Sequence, residues 1–249
     1  MLRFMSNFIT NSQPRSMKAR IHTLIQHSQE LKFLVGYFYF SGWSELVAAL
    51  QQRDDLQLKI LVGLDVDAML GKPLEVALAS AAMSNNELIG RYMLSLGNAL
   101  NDEALDNGEF FTQVEYFLRL LQDGRLHLRK TIDPNHAKLY FFKMRLESQG
   151  LLPNDGKFIT GSSNLTRAGF QGQHEFNVEI GDFGTEEAER YFDELWETAV
   201  PLTYSEEQRC QLVQFVRNRT QVADVSPFEA YLLVLKTYLD LMEQKSIKP

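Results

Sequence analysis

The sequence predicts an α/β fold, a three-layer α/β/α domain with a mixed sheet, and three observations carry that prediction. Two runs of aliphatic and aromatic residues, "LKFLVGYFYF" (31–40) and "LQLKILVGLDV" (56–66), read as strands of the buried kind. Between them "SGWSELVAAL" reads as a helix with an N-cap at Ser41 or Ser44, so the order is strand, helix, strand with a short crossover. That order makes a right-handed βαβ unit and a parallel pair. Further on, "HAKLYFF" and "KFITGS" flank the loop "ESQGLLPNDG", which ends in an Asp155-Gly156 turn. A turn of that kind between two strands predicts a hairpin, and so an antiparallel part of the sheet.

The remaining elements follow in order. Residues 15–30 show helical spacing through Ile21, Leu24 and Ile25. From about 72 to 123 helix formers dominate, with an apolar stripe in "FFTQVEYFLRLL", too long for a crossover and so expected as a helical insertion. "RLHLRKTI" and "HEFNVEIGDF" supply two more strands, and helices are expected at 184–199 and 205–218. After the polar break "NRTQVADVSP" a last helix is expected at about 226–244. The domain is therefore read as 1–218, with a linker and C-terminal helix at 219–249. No internal repeat or low-complexity tract is visible.

Composition narrows the function classes. The 249 residues are 45% hydrophobic and 23% charged, the balance of a globular chain rather than a disordered one. A net charge of -7 gives no global attraction to nucleic acid, so any such contact must come from a local basic patch. Cys210 is the only cysteine, which excludes an intrachain disulfide and a multi-cysteine zinc site and fits a reduced compartment. The N-terminal apolar run is too short for a signal peptide, and no apolar stretch is long enough to span a bilayer. A cytoplasmic location without membrane attachment is the expectation.

One constellation carries chemistry. His136-Ala-Lys138 is the only His-x-Lys in the chain, placed at the start of a strand just after Pro134; alternation puts both side chains on one face. Asn164 ends the small-residue turn Gly161-Ser162-Ser163-Asn164 after the return strand, and Glu175 begins the next strand 11 positions later. If those strands are neighbours, the four residues converge at one end of the sheet, where α/β folds place ligands. The residue types suit phosphoryl transfer. An imidazole attacks phosphorus or protonates a leaving oxygen near neutral pH, while an ammonium and an amide hold the non-bridging oxygens. Glu175 would fix the imidazole tautomer, Ser162 and Ser163 would add hydroxyl donors, and neither a metal nor a cofactor is required. Taken singly, each of these is more often ordinary surface, turn or strand edge.

The order H-x-K, G-S-x-N, E resembles the half-motif of the phospholipase D superfamily. "GSSNLTRAGF" with "HEFNVEI" is similar to the version in its bacterial nuclease and restriction-enzyme branch, and "FLVGYFYFSGWSELVAAL…LKILVGLDVD" to the first βαβ unit of those domains. The resemblance covers about 30–200, interrupted by the insertion, and implies a phospholipase D-like domain. It implies His136 as nucleophile, Lys138 and Asn164 as phosphate binders and Glu175 as the orienting carboxylate. The superfamily pattern continues H-x-K-x4-D, but position 143 here is lysine. That departure argues against a lipid-hydrolysing member and favours a polyanion. The superfamily works with two such motifs and this chain has one, so a homodimer is expected to complete the site. The tail "SPFEAYLLVLKTYLDLMEQK" resembles the junction after which similar bacterial proteins continue into a Swi/Snf-type helicase, although an ordinary amphipathic helix fits it equally well.

The best basic surface comprises Arg125, His127, Arg129 and Lys130, with Lys138, Lys143, Arg145 and Arg167; Arg125, Arg129, Lys143, Arg167 and Tyr39 are the expected nucleic-acid contacts. Tyr39, from the aromatic run "YFYFSGW", is placed near the site by the resemblance. "DVD" (65–67) reads as a strand-end turn rather than a metal site. The leading expectation is a metal-independent, homodimeric phosphodiesterase that cuts nucleic acid, DNA before RNA, through a phosphohistidine, in a restriction or defence role. A non-catalytic DNA-binding or dimerisation module of a larger helicase is the alternative, and a phospholipid hydrolase the third.

Overall fold

The computed structural model describes residues 7–11, 16–64, 83–100, 108–146, 155–172, 174–220, 231 and 235. The "DVD" turn, the start of the helical stretch at 72–82, most of the loop between the hairpin strands and, but for 231 and 235, the expected last helix lie outside them. The elements run β1 (Phe8–Ile9), α1 (Met17–His27), β2 (Ser28–Val35), α2 (Phe40–Leu50) and β3 (Gln57–Val62). Then come α3 (Asn85–Leu100), α4 (Gly108–Gln122), β4 (Leu126–Lys130), β5 (Leu139–Met144) and β6 (Gly156–Gly161). The chain continues through β7 (Asn177–Ile180), α5 (Thr185–Thr198), β8 (Val200–Pro201) and α6 (Glu206–Thr220).

The strands form one mixed sheet in the order β1-β7-β6-β5-β2-β3-β4-β8. β2, β3 and β4 are parallel, whereas β5 is antiparallel to β2, β6 to β5 and β7 to β6. Alternation along the central strands sends Leu31, Phe33 and Val35 of β2 to one face, with Ile60, Tyr140 and Phe142. There they meet α1, α2, α4 and α6 in the main core. Leu34, Leu61, Leu139 and Phe141 point the other way, onto Phe192 and Trp196 of α5. Strands covered on both faces need continuous apolar runs, which is why β2, β3 and β5 were recognisable. α4 packs into the main core: its fully buried Phe117 meets the rings of Phe38, Phe40 and Trp43. The stretch expected as an insertion thus walls the core.

Two boundaries differ from expectation. The first strand runs 28–35 rather than 31–40, because the chain leaves the sheet at Gly36; Phe38 keeps only an isolated parallel bridge to Leu165. α2 therefore starts at Phe40, with Tyr39 as an N-cap that makes no side-chain capping bond. Neither Ser41 nor Ser44 caps it; the Ser44 hydroxyl donates to the Ser41 carbonyl, 2.8 Å away.

A buried cation pins α5 to the sheet. Lys32 on β2 is 4% exposed, and its ammonium donates to Glu189 (2.6 Å) and to both oxygens of Asp193 (2.8 Å). Burial disfavours the charged Lys32, but the bonds to Asp193 and Glu189 outweigh it, so its pKa stands above the ordinary value. Burial likewise pushes Glu189 up, and the bonds from Lys32 and Lys143 outweigh that and hold it below the usual carboxylate range. The signs define a window. The Glu189 contribution is present above the unfolded carboxylate pKa and is lost as pH falls through the lower folded one. The Lys32 contribution is present below the unfolded lysine pKa and is lost as pH rises through the higher folded one. Lys32→Ala is expected to cost about 2 kcal/mol, under the 3–5 of a fully buried pair because α5 leaves the carboxylates partly wet. Thermal melts should show that deficit across neutral pH and a smaller one below pH 4.

Candidate active site

Strand direction brings the motif together. The parallel strands β2 and β3 end in register at Val35 and Val62, each followed by a glycine. Because β5 and β7 run opposite to β2 and β6, the chain enters β5, leaves β6 and enters β7 at that same end of the sheet. Segments 135–138, 161–164 and 174–177 therefore gather around Gly36 and Gly63.

His136 and Lys138 lie in the extended segment before β5 rather than on the strand, which begins at Leu139. Their proximity comes from the Lys138 side chain folding back. Its ammonium is 2.9 Å from Nδ1 and 3.1 Å from Nε2 of His136, and it donates to the His136 carbonyl at 2.8 Å. The segment is fastened on both sides. Asn135 N–H donates to the Gly63 carbonyl (3.2 Å), Asn135 Oδ1 accepts from Ala137 N–H (2.8 Å), and the Thr160 hydroxyl donates to the Lys138 carbonyl (2.8 Å). Lys138 is buried and His136 exposed, with the Tyr37 ring edge-on to the imidazole at 6.2 Å. Burial first, and the neighbouring Lys138 charge second, hold the His136 imidazole below its ordinary pKa. Burial also lowers Lys138, offset in part by the negative charge of Glu175. At neutral pH the ring is thus uncharged, with the Lys138 ammonium against its nitrogens.

Gly36 sets the third side. A Cβ there would stand 3.1 Å from Asn164 Oδ1 and 3.4 Å from His136 Cδ2, so the missing side chain lets amide and imidazole close on each other. Asn164 Oδ1 is buried and, among the described residues, has no hydrogen-bond partner.

Two serines divide the labour expected of both. Ser162 is exposed at the site, where its hydroxyl donates to Glu175 Oε2 and accepts from Phe176 N–H at 3.1 Å. Ser163 is fully buried, donates to the Gly169 carbonyl (2.8 Å) and accepts from Asn177 Nδ2 (2.8 Å). Its hydroxyl is spent on holding the loop, which corrects its assignment as a phosphate donor. Glu175 precedes β7, which starts at Asn177, and its carboxylate accepts the hydrogen bond from the Ser162 hydroxyl. Within one chain Glu175 makes no bond to His136, whose ring nitrogens face Lys138, so the expected tautomer-fixing contact is absent among the described residues.

The expected basic contacts are mostly committed elsewhere. Lys143 sits at the far end of β5, about 17 Å along the strand from Lys138 at ~3.4 Å per residue. There it pairs with Glu189 (3.0 Å) and Asp155 (3.7 Å). Acidic side chains on α5 explain a lysine at the motif's aspartate position. Lys143→Gln is expected to lower stability by about 1 kcal/mol or less in thermal melts, as for partly exposed pairs. Arg125 is tied to the Arg53 and Leu56 carbonyls. Arg167 is exposed but pairs with buried Glu45 at 3.1 Å. Arg129 lies on the α5 side, its guanidinium 4.8 Å over Trp196. Such pairings span 46 to 122 positions of sequence, so no local pattern announces them. The Tyr39 ring lies 6.4 Å from that of Tyr37, the ring that stands edge-on to His136.

Gly36, Gly63 and Tyr37 are the site residues sequence reasoning missed. A signal was present: both buried strands end in Val-Gly, "LVGY" and "LVGL", a repeat that marks two close backbone approaches.

An eight-stranded mixed sheet whose parallel strand ends gather an H-x-K, a G-S-S-N and a glutamate defines a phosphodiesterase fold of the phospholipase D type. The chain belongs to that superfamily: residues 21–196 match the family described as cardiolipin synthase, PLD-like domain. No curated protein matches it. Among solved structures, it is similar to a phospholipase D family member, Nuc from Salmonella typhimurium, at 13% identity and a TM-score of 0.39, over 78% of this chain and 95% of that one. Phosphatidylserine synthase from Haemophilus influenzae Rd KW20 is similar at 15% identity and a TM-score of 0.48, over 85% and 45% of the two chains. NucT from Helicobacter pylori is similar at 13% identity and a TM-score of 0.37, over 78% and 96%. Among the described residues no helix is long and apolar enough to cross a membrane.

Proposed function

We propose that the chain is a phosphodiesterase that cuts nucleic acid, DNA before RNA, through a phosphohistidine on His136. The observation that carries this is the imidazole of His136 held against the Lys138 ammonium, with Asn164 closing across Gly36. In the first step a ring nitrogen donates its lone pair to phosphorus, a P–N bond forms, and the P–O bond to the leaving strand breaks. Lys138 and Asn164 hold the non-bridging oxygens as charge builds on them. The leaving oxygen needs a proton, which this half-site does not supply; His136 of the partner subunit in a homodimer would give it. Water then attacks phosphorus, the P–N bond breaks, and the same acid takes the water's proton back as base. A dimer would also give Glu175 a histidine to orient across the axis. A cytoplasmic domain spanning 1–218, with 219–249 leading into a helicase module and a restriction or defence role, belongs to the same reading.

Cleavage of plasmid or oligonucleotide DNA in EDTA, wild type against His136→Ala, tests it: EDTA-resistant cutting that the substitution removes is the expected result. Binding without cutting would favour a docking module, a reading supported by the unbonded Glu175–His136 pair. Turnover of a phosphatidylcholine analogue without DNA cleavage would favour the lipid chemistry in the matched family's description. Full activity from a chain that sediments as a monomer would sink the dimer.

A further inference from the structure

A second pocket lies on β3 and β4, away from the strand ends that gather the first site. On the α5 side of β3 and β4, next to β8, a cavity of about 200 Å³ opens over the indole of Trp196. Arg129 lies 4.8 Å above that ring and Lys59 5.9 Å, His127 faces Lys59 across the β3–β4 pairing, and Tyr204 forms an outer wall, 76% exposed. Arg209 of α6 lines a neighbouring cavity and is fixed beside this one by the carbonyls of Thr203 (3.3 Å) and Tyr204 (3.1 Å).

The charge there is unbalanced. Lys59 is answered by Glu30 at 2.7 Å. Among the described residues no carboxylate pairs with Arg129 or Arg209, although acids outnumber bases 32 to 25 in the chain. Burial first, then the charges of Lys59, Arg209 and Arg129, hold His127 below its ordinary pKa, as a positive field requires. Arg129 spends one donor on the Trp196 carbonyl and keeps the rest of a five-donor fork.

We propose that this pocket binds a phosphate monoester of a nucleotide unit, with the base against Tyr204. The unpaired guanidinium of Arg129, with the charges of Lys59 in the lining and Arg209 just outside it, suits the roughly −1.5 to −2 charge of a phosphate monoester better than the single charge of an internal diester. The volume, under the ~300–1,000 Å³ of sites that enclose whole ligands, fits a phosphate and leaves the base outside on the exposed ring. A free nucleotide and the phosphorylated end of a strand present the same group. Hydrolysis at the first site would create such ends, but the pocket's chemistry does not rest on that reading.

Trp196 is its own reporter, since the only other tryptophan, Trp43, is fully buried. The full chain carrying His136→Ala, which blocks turnover, is titrated with inorganic phosphate, AMP, and an oligothymidylate with or without a 5′-phosphate. Saturable change in tryptophan emission with phosphate and AMP is expected, at least tenfold weaker in Arg129→Gln. Tyr204→Ala, at an exposed position, should weaken AMP but not phosphate. Preference for the 5′-phosphorylated oligomer over AMP assigns the strand end, and the reverse the free nucleotide. No saturable change at millimolar phosphate and AMP overturns the proposal, as does equal binding of hydroxyl-ended and phosphorylated oligomers. A chain that binds but never cleaves would refute only the catalytic reading, and one that cleaves without binding only this one.

Discussion

Loss of the His136 ring is expected to lower EDTA-resistant cleavage by at least about 1,000-fold, the order seen when a nucleophile or a positioned acid–base group is removed. The fold should not suffer, because the side chain is exposed and substitutions at such positions usually stay within about 0.5 kcal/mol. Melting curves that superimpose on wild type would therefore accompany inactive protein. The pH profile adds a second reading of the same site. Attack needs the neutral imidazole, and burial with the Lys138 charge sets its pKa below 6.5, so the acid limb of kcat should fall below pH 6.5. The proposed acid, His136 of the partner subunit, must carry its proton and Lys138 its charge, so the basic limb reports whichever is lost first and should lie well below pH 10.5. Lys138→Met removes one of the two causes acting on His136, so the acid limb should move up in pH while kcat drops. A limb that stays in place in Lys138→Met would show that the two groups are not coupled, and activity in His136→Ala would remove the phosphohistidine.

The candidate site was legible because its chemistry is carried by residue types in a fixed order, and order survives folding. His136, Lys138, Asn164 and Glu175 all reach one end of the sheet because the alternation of antiparallel strands after β2 returns the chain there each time. What the sequence hid was pairing across distance. Lys143 and Arg167 look like free cations until Glu189 and Glu45 are seen opposite them. Ser162 and Ser163 look alike until one faces solvent and the other Gly169. The strand limit at Val35 was misplaced for a related reason. Tyr37 to Phe40 continue an apolar run without a break in pattern, and only Gly36, pressed against His136 and Asn164, shows why the chain must leave the sheet there.

That role of glycine gives the largest structural effect expected, at Gly63. A Cβ at Gly63 would lie 1.8 Å from the Asn135 carbonyl oxygen and 2.7 Å from its carbon, so backbone has to move. Gly63 cannot be the part that yields. Its N–H donates to the Val35 carbonyl at 2.9 Å, and its own carbonyl accepts from Lys130 Nζ (3.0 Å), the Thr131 hydroxyl (3.3 Å) and Asn135 N–H (3.2 Å). The segment that shifts is the one carrying His136. Neither Gly36 nor Gly63 has a positive φ, so alanine at either brings no backbone strain and the contact alone decides the outcome. Gly63→Ala is expected to cost about 3 kcal/mol, the upper part of the range for overpacking. In a chain of this size that is a melting temperature lower by about 6–12 °C. Cleavage should fall with it, because the imidazole leaves its place beside Lys138. Gly36→Ala separates the two effects. Its Cβ meets the side chains of Asn164 and His136 at 3.1 and 3.4 Å, which shift without disturbing the sheet. Stability there should change by less than about 1 kcal/mol, since no backbone is displaced. Cleavage should still drop about 100-fold, the effect of misplacing a reacting group by an ångström. A Gly63→Ala protein that melts with wild type would mean the 135–138 segment is not held as described, and a fully active Gly36→Ala would mean that His136 and Asn164 need not close on each other.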